Sequence, residues 1–168
     1  MDGRHKRYFL RTKEAKLILS EASEKLEVDF THIFNSKAAM ELVETDFAEI
    51  FIINSEPLLV RIGEKIFPTL VFTERFDLMP KVVVDMGAVP HVCNGANIMA
   101  PGIVRFEGAF RRGDYVSVVD EKHGKTIAIG EAIYDVDAAE KTAEGVVIKN
   151  IHFVGDKIWN SIKKSKNL

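Results

Sequence analysis

The stretch 86-MGAVPHVCNGANIMAPGIV-104 contains no Asp, Glu, Lys or Arg, in a chain where 29% of residues are charged. Asp85 and Arg105 bound it, and Gly95, Pro101 and Gly102 interrupt it. A membrane span is excluded. Pro90, His91, Asn94, Asn97 and Pro101 would leave polar or unpaired backbone groups in hydrocarbon, where about 20 predominantly apolar residues are needed. The stretch therefore belongs to a water-soluble fold.

Working outward, KVVVD (81–85) reads as a short buried strand. A helical segment follows and ends at Asn94-Gly95, where glycine can take the left-handed conformation of a helix terminus. IMAPGIVRF, DYVSVVD, TIAIGEAIYDV and GVVIKNIHFV then read as strands, joined by the turn-rich connectors FRRGD, EKHGK and VGDK. Short strands at close spacing with glycine turns indicate a small sandwich or barrel. Nine of the eleven glycines lie after residue 80, so the front half is built differently. There Thr12 is expected to cap a helix running to about Glu27, with Ala15, Ile18, Leu19, Ala22 and Leu26 on one face. Ser36 is expected to cap a shorter helix carrying Ala39, Leu42 and Val43. FAEIFII is strand-like, and PLLVRIGEKIF predicts a hairpin around a two-residue type II′ turn at Gly63-Glu64. The fold class is α+β, with a boundary near Met79-Pro80 separating residues 1–79 from 80–168.

Composition narrows the function. The chain has 168 residues, 46% of them hydrophobic, and a net charge of −2, which argues against a surface that binds polyanions everywhere. Residues 1–80 hold 11 Lys and Arg against 14 Asp and Glu; residues 81–168 hold 12 against 11. Basic clusters stand at RHKRYFLRTK and KIWNSIKKSK. The single cysteine, Cys93, excludes an internal disulfide and fits a reducing compartment, and no secretory leader is visible. Cytoplasm is the expected address and a monomer the expected state.

VVVDMGAVPHVCNGANIMAPGI, followed by GDYVSVVD, AIGEAI and GVVIKNIHFVGDKIW, resembles the PUA domain from about Lys81 to Trp159. PUA domains are RNA-binding pseudo-barrels found in pseudouridine synthases and archaeosine transglycosylases. With a front half ending in IFPTLVFTERFDLMP, the whole chain resembles the malignant-T-cell-amplified-sequence family, whose members include archaeal relatives and the amino-terminal part of ligatin. The resemblance implies a small α/β pre-PUA domain followed by a mixed β pseudo-barrel. It also implies a translation role on the small ribosomal subunit near tRNA, alongside a separate SUI1-domain protein. The expected partner is structured RNA, tRNA or rRNA, and not DNA or a membrane.

Small side chains and a missing carboxylate suit the approach of a sugar–phosphate chain, and backbone N–H groups at Gly95, Ala96, Ala100 and Gly102 could donate to it. By resemblance the RNA-binding residues are Gly95, Ala96, Asn97, Ile98, Met99, Ala100, Pro101, Gly102 and Ile103, with Lys81, Arg105, Lys149 and His152 as rim contacts to phosphate. A competing reading makes Ile98, Met99 and Ile103 core, Gly95 a helix end and Gly102 a strand bend. No aromatic interrupts the stretch, so shape and phosphate contacts are expected ahead of base stacking.

Catalytic signatures are sparse. His91-x-Cys93 is too little for zinc, which usually takes four ligands. Cys93 reads as packed and inert, and Asp135 and Asp137 read as a capped, solvated helical turn. No metal, cofactor or catalytic residue is expected. Two functions remain: a non-enzymatic RNA-binding factor in translation, and an accessory subunit presenting tRNA to an RNA-modifying enzyme.

Overall fold

A computed structural model describes residues 6–34 and 38–166. They fall into two compact units. One runs to Phe72 and includes the end of the C-terminal helix from Ile162; the other is Thr73–Ser161.

The first unit is a five-stranded antiparallel meander, β1 (Lys6–Phe9), β2 (Met40–Glu44), β3 (Glu49–Ile53), β4 (Glu56–Ile62) and β5 (Lys65–Pro68), in the order β1-β2-β3-β4-β5. Helices α1 (Thr12–Leu26) and α2 (Phe30–Ile33) join β1 to β2. The apolar face of α1, through Ala15, Leu19 and Ala22, packs in one core with Phe30, Leu42, Phe51, Ile53, Leu59 and Ile66. Thr12 is the first helical residue, so Arg11 occupies the capping position. Glu14 reaches back to accept the Arg11 amide at 3.0 Å. The helix ends at left-handed Glu27.

The short helix expected over Ala39, Leu42 and Val43 is instead strand β2, and Ser36 lies outside the described residues. Leu42 pairs with Tyr8 on one side and Phe51 on the other. Spacings of three and four over so few residues are a weak helical signal, and two flanking strands that need a partner override it. The β4–β5 hairpin matches its expectation: Ile62 pairs with Lys65 and Gly63 has φ 60°, as a type II′ turn requires at its first position. The β3–β4 turn at Asn54-Ser55 has positive φ at both residues, the type I′ signature, without the glycine that would advertise it.

The second unit begins with α3 (Thr73–Phe76) and β6 (Lys81–Val84), then α4 (Val89–Val92), β7 (Ile98–Met99), a 3-10 turn (Ala100–Gly102) and β8 (Ile103–Glu107). It continues with β9 (Tyr115–Asp120), β10 (Thr126–Ala132), α5 (Val136–Glu140) and β11 (Val146–Phe153); α6 (Lys157–Lys166) starts in this unit. Its sheet has the order β7-β11-β10-β9-β6-β8, with β6 and β9 parallel and the other pairs antiparallel.

The connection between β7 and β8 dictates the curl. These strands form opposite edges of a six-stranded sheet, yet only Ala100–Gly102 separates them. Three residues cannot span a flat sheet whose neighbouring strands lie about 4.8 Å apart, so the sheet must roll until its edges meet. The result is a pseudo-barrel. Val82, Val84, Val92, Ile98, Val116, Val118, Ala128, Val147 and Ile148 fill it. The IMAPGIVRF segment, read as one strand, is thus two strands broken at the seam.

Candidate nucleic-acid interface

The neutral stretch lies along this seam. At the end of β6 the Asp85 amide donates to the Gly102 carbonyl at 3.0 Å, and Asp85 Oδ1 accepts the Ala88 amide at 2.8 Å. The chain thereby turns into α4. A Cβ built on Gly102 would stand 3.1 Å from Ala88 Cβ, so glycine lets the 3-10 turn press against the start of α4. At the far end of α4, Gly95 has φ 95° and lies against the Phe153 ring. Between these fixed points runs an open groove of about 510 Å³, lined by Gly87, Ala88, His91, Ala96, Asn97, Met99, Pro101 and Gly102 among others.

Strand β11 pins the groove's floor. The Asn150 backbone amide donates to Asn97 Oδ1 at 3.0 Å. Its side-chain Nδ2 donates to the carbonyls of Val92 at 3.0 Å and Ala96 at 2.9 Å. Asn150 Oδ1 is buried without a hydrogen-bond partner. Asn150 is not among the residues expected from sequence, which on this strand are Lys149 and His152. One signal was available: an uncharged polar residue inside a strand commonly bonds to the backbone of a neighbouring segment.

The predicted residues separate into groups. Ala96, Asn97, Met99 and Pro101 are exposed along the groove and Gly102 lines it half-buried; Gly95 is exposed after α4, and Ala100 and Ile103 are half-buried in a neighbouring groove. Ile98 is 2% exposed and its side chain belongs to the barrel core. His152 requires correction. It is 0% exposed, and its Nδ1 lies 2.9 Å from Asp156 Oδ2, so it cannot reach a phosphate. Asp156 also accepts the amides of Phe153 and Trp159, and the pair shapes the turn from β11 into α6. Lys81 pairs with Glu107 at the end of the β6–β8 ladder away from Asp85 and Gly102, so it does not border the groove. Arg105 faces a neighbouring groove of about 340 Å³ with Val104, Phe106, Glu140 and Thr142, and its Nε is 3.2 Å from Glu107. Lys149 is exposed on β11 beside Asn150.

The expected backbone donors are mostly spent. The Gly95 amide bonds to Val92, Ala96 to His91 and Ala100 to Gly145, at 2.9 to 3.0 Å. The groove therefore offers shape, apolar surface and the side chains of His91 and Asn97. Cys93 is half-buried against the barrel core, and burial pushes its thiol up, with Lys125 pulling weakly the other way. A protonated thiol is a poor nucleophile. Asp135 precedes α5 and accepts the Arg112 amide at 2.8 Å, tying down the FRRGD turn. Among the described residues no group of three His, Cys, Asp or Glu side chains could hold a metal ion, and no helix is long and apolar enough to cross a membrane.

Comparisons with known proteins follow the same division. Residues 80–154 match the PUA domain, and residues 6–75 match a domain of unknown function, DUF1947. An uncharacterized protein of Methanocaldococcus jannaschii is 40% identical over 92% of this chain and 96% of its own. Translation machinery-associated protein 20 of Saccharomyces cerevisiae is 30% identical over 89% and 86%. The crystal structure of a PUA domain protein from Aeropyrum pernix, at 29% identity, superposes with a TM-score of 0.83 over 98% of this chain and 94% of that one.

Proposed function

We propose, since this chain belongs to the PUA-domain family of translation machinery-associated protein 20 and the malignant-T-cell-amplified-sequence proteins, that it is a non-enzymatic factor contacting tRNA or rRNA on the small ribosomal subunit. The coarser role, RNA binding in connection with translation, follows from that membership. The observation that supports the finer reading is the groove at the barrel seam. It is open, shaped by small residues, and free of lysine or arginine along its lining. Asp85 is the one carboxylate in that lining, and its Oδ1 is held by the Ala88 amide. The front unit would hold protein, with a SUI1-domain chain as the expected companion.

The experiment is sedimentation of the full chain with small ribosomal subunits, with and without Ala96→Glu. Ala96 is exposed in the groove and its carbonyl and amide are already satisfied, so the variant keeps the fold. A longer, charged side chain there fills the groove and repels the approaching polyanion, and it should weaken binding roughly tenfold. Equal co-sedimentation of both proteins would reject the groove. Stable co-purification with an RNA-modifying enzyme instead of subunits would favour the accessory-subunit reading.

A further inference from the structure

Strand β1 is an open edge of the first unit's sheet, and its sequence is complementary to itself. Among the described residues β1 pairs with β2 alone, at the end of the order β1-β2-β3-β4-β5. Helix α1 packs against β5, the opposite edge. All four residues of β1 are exposed, Tyr8 at 43% and Phe9 at 67%. No proline or bulge interrupts the strand. A straight edge of this kind accepts another strand unless charge forbids it.

The register with β2 sets which backbone groups face outward. The Leu10 amide donates to the Met40 carbonyl at 2.8 Å, so Leu10, Tyr8 and Lys6 turn their backbone groups toward β2. By the alternation of an antiparallel ladder, those of Arg7 and Phe9 turn to the open side. We propose that a second copy of this chain adds its own β1 there, antiparallel, about a two-fold axis at Tyr8. Each Arg7 then lies opposite Phe9 of the second copy, and such a pair exchanges both of its backbone hydrogen bonds.

Electrostatics selects this register. An axis at Arg7 would set two guanidinium groups face to face, and an axis at Phe9 would set Arg7 opposite Arg11. With the axis at Tyr8 no like charges meet: Arg7 faces an aromatic ring, Lys6 faces Leu10, and the two tyrosines face each other. The Arg7 guanidinium is already held by Glu41 of its own chain, which limits the side-chain freedom lost on pairing. Stable interfaces bury about 1,200–2,000 Å², more than so short a strand supplies, so the association is weak and concentration-dependent. It replaces the fixed monomer expected from sequence.

Sedimentation equilibrium of the full chain over about 10 μM to 1 mM should show a reversible rise from 18.9 kDa toward twice that mass. Phe9→Pro removes an outward-facing N–H and leaves the β1–β2 bonds in place, so it should weaken dimerisation at least about tenfold. Tyr8→Cys places two thiols across the axis at a Cα separation of about 4.5 Å, within disulfide range. Mild oxidation should therefore link that variant at position 8, located by peptide mapping so that Cys93 is not counted. Arg7→Cys, whose thiols do not face each other, should crosslink at least about tenfold more slowly. A parent that stays at 18.9 kDa throughout would overturn the proposal. Dimers unchanged by Phe9→Pro, or equal crosslinking at positions 7 and 8, would place the interface elsewhere and overturn it too. The cysteine comparison decides the register even if Phe9→Pro fails to fold.

Discussion

Asn150 joins folding to function at a single side chain. Its Nδ2 donates to two carbonyls, those of Val92, which also accepts the Gly95 amide, and Ala96. Asn150→Ala should therefore destabilise the protein by about 1–2 kcal/mol, the loss of two hydrogen bonds, measured as a lower urea midpoint at unchanged slope. A midpoint equal to the parent's would mean that water replaces the amide and that the groove is not held from below. At this scale the sequence was a partial guide. Absence of charge located the groove, because an uncharged run bounded by Asp85 and Arg105 is visible without coordinates. Which polar atoms remained available was not visible. Gly95, Ala96 and Ala100 were nominated as donors because glycine and alanine leave the backbone accessible, but accessibility says nothing of whether the N–H is already bonded. Long-range partners decided that, as in the bond from the Ala100 amide to Gly145.

Elements were legible where local chemistry and tertiary need agreed. Gly63, Gly113, Gly124 and Gly155 all mark turns that the glycine pattern announces, each with positive φ. Strand β2 was missed because its pairing lies with Tyr8 and Phe51, far away in sequence. Two hairpin features of the barrel carry predictions. Gly130 sits at a register shift between β10 and β11, where a Cβ would approach Ile148 Cγ2 to 2.2 Å. Gly130→Ala should cost about 1–3 kcal/mol by overpacking, read as a depressed thermal midpoint; an unchanged midpoint would show that β11 yields freely there. In the β9–β10 turn, Asp120 is 4% exposed, and its carboxylate accepts the amides of His123 and Lys125. Burial acts to raise its pKa, but those amides outweigh burial and hold it below the ordinary 3.8. The folded state thus favours the carboxylate. Its contribution is present above about pH 4 and lost as pH falls through the lowered value. Asp120→Asn should flatten the acid limb of a stability-versus-pH curve, and an identical acid limb in both proteins would contradict the assignment.

For the whole molecule, the decisive legible feature was the change of grammar after Pro80, from helix and meander to glycine-punctuated strands. The curl of the second sheet was less visible, since it depends on β7 and β8 being opposite edges, a fact of strand order that no local pattern states. With a net charge of −2, the chain as a whole does not attract RNA. Binding should come from a few contacts near the seam, so the salt slope should be shallow, nearer one or two phosphates than the many of a broad basic surface. The most direct measurement of the central claim is a map of RNA–protein crosslinks formed by the full chain in cell extract. Crosslinked residues are expected within 85–103, along the groove, and within 146–150, on the strand beneath it. Crosslinks confined to residues 6–72, with none along the seam, would contradict it.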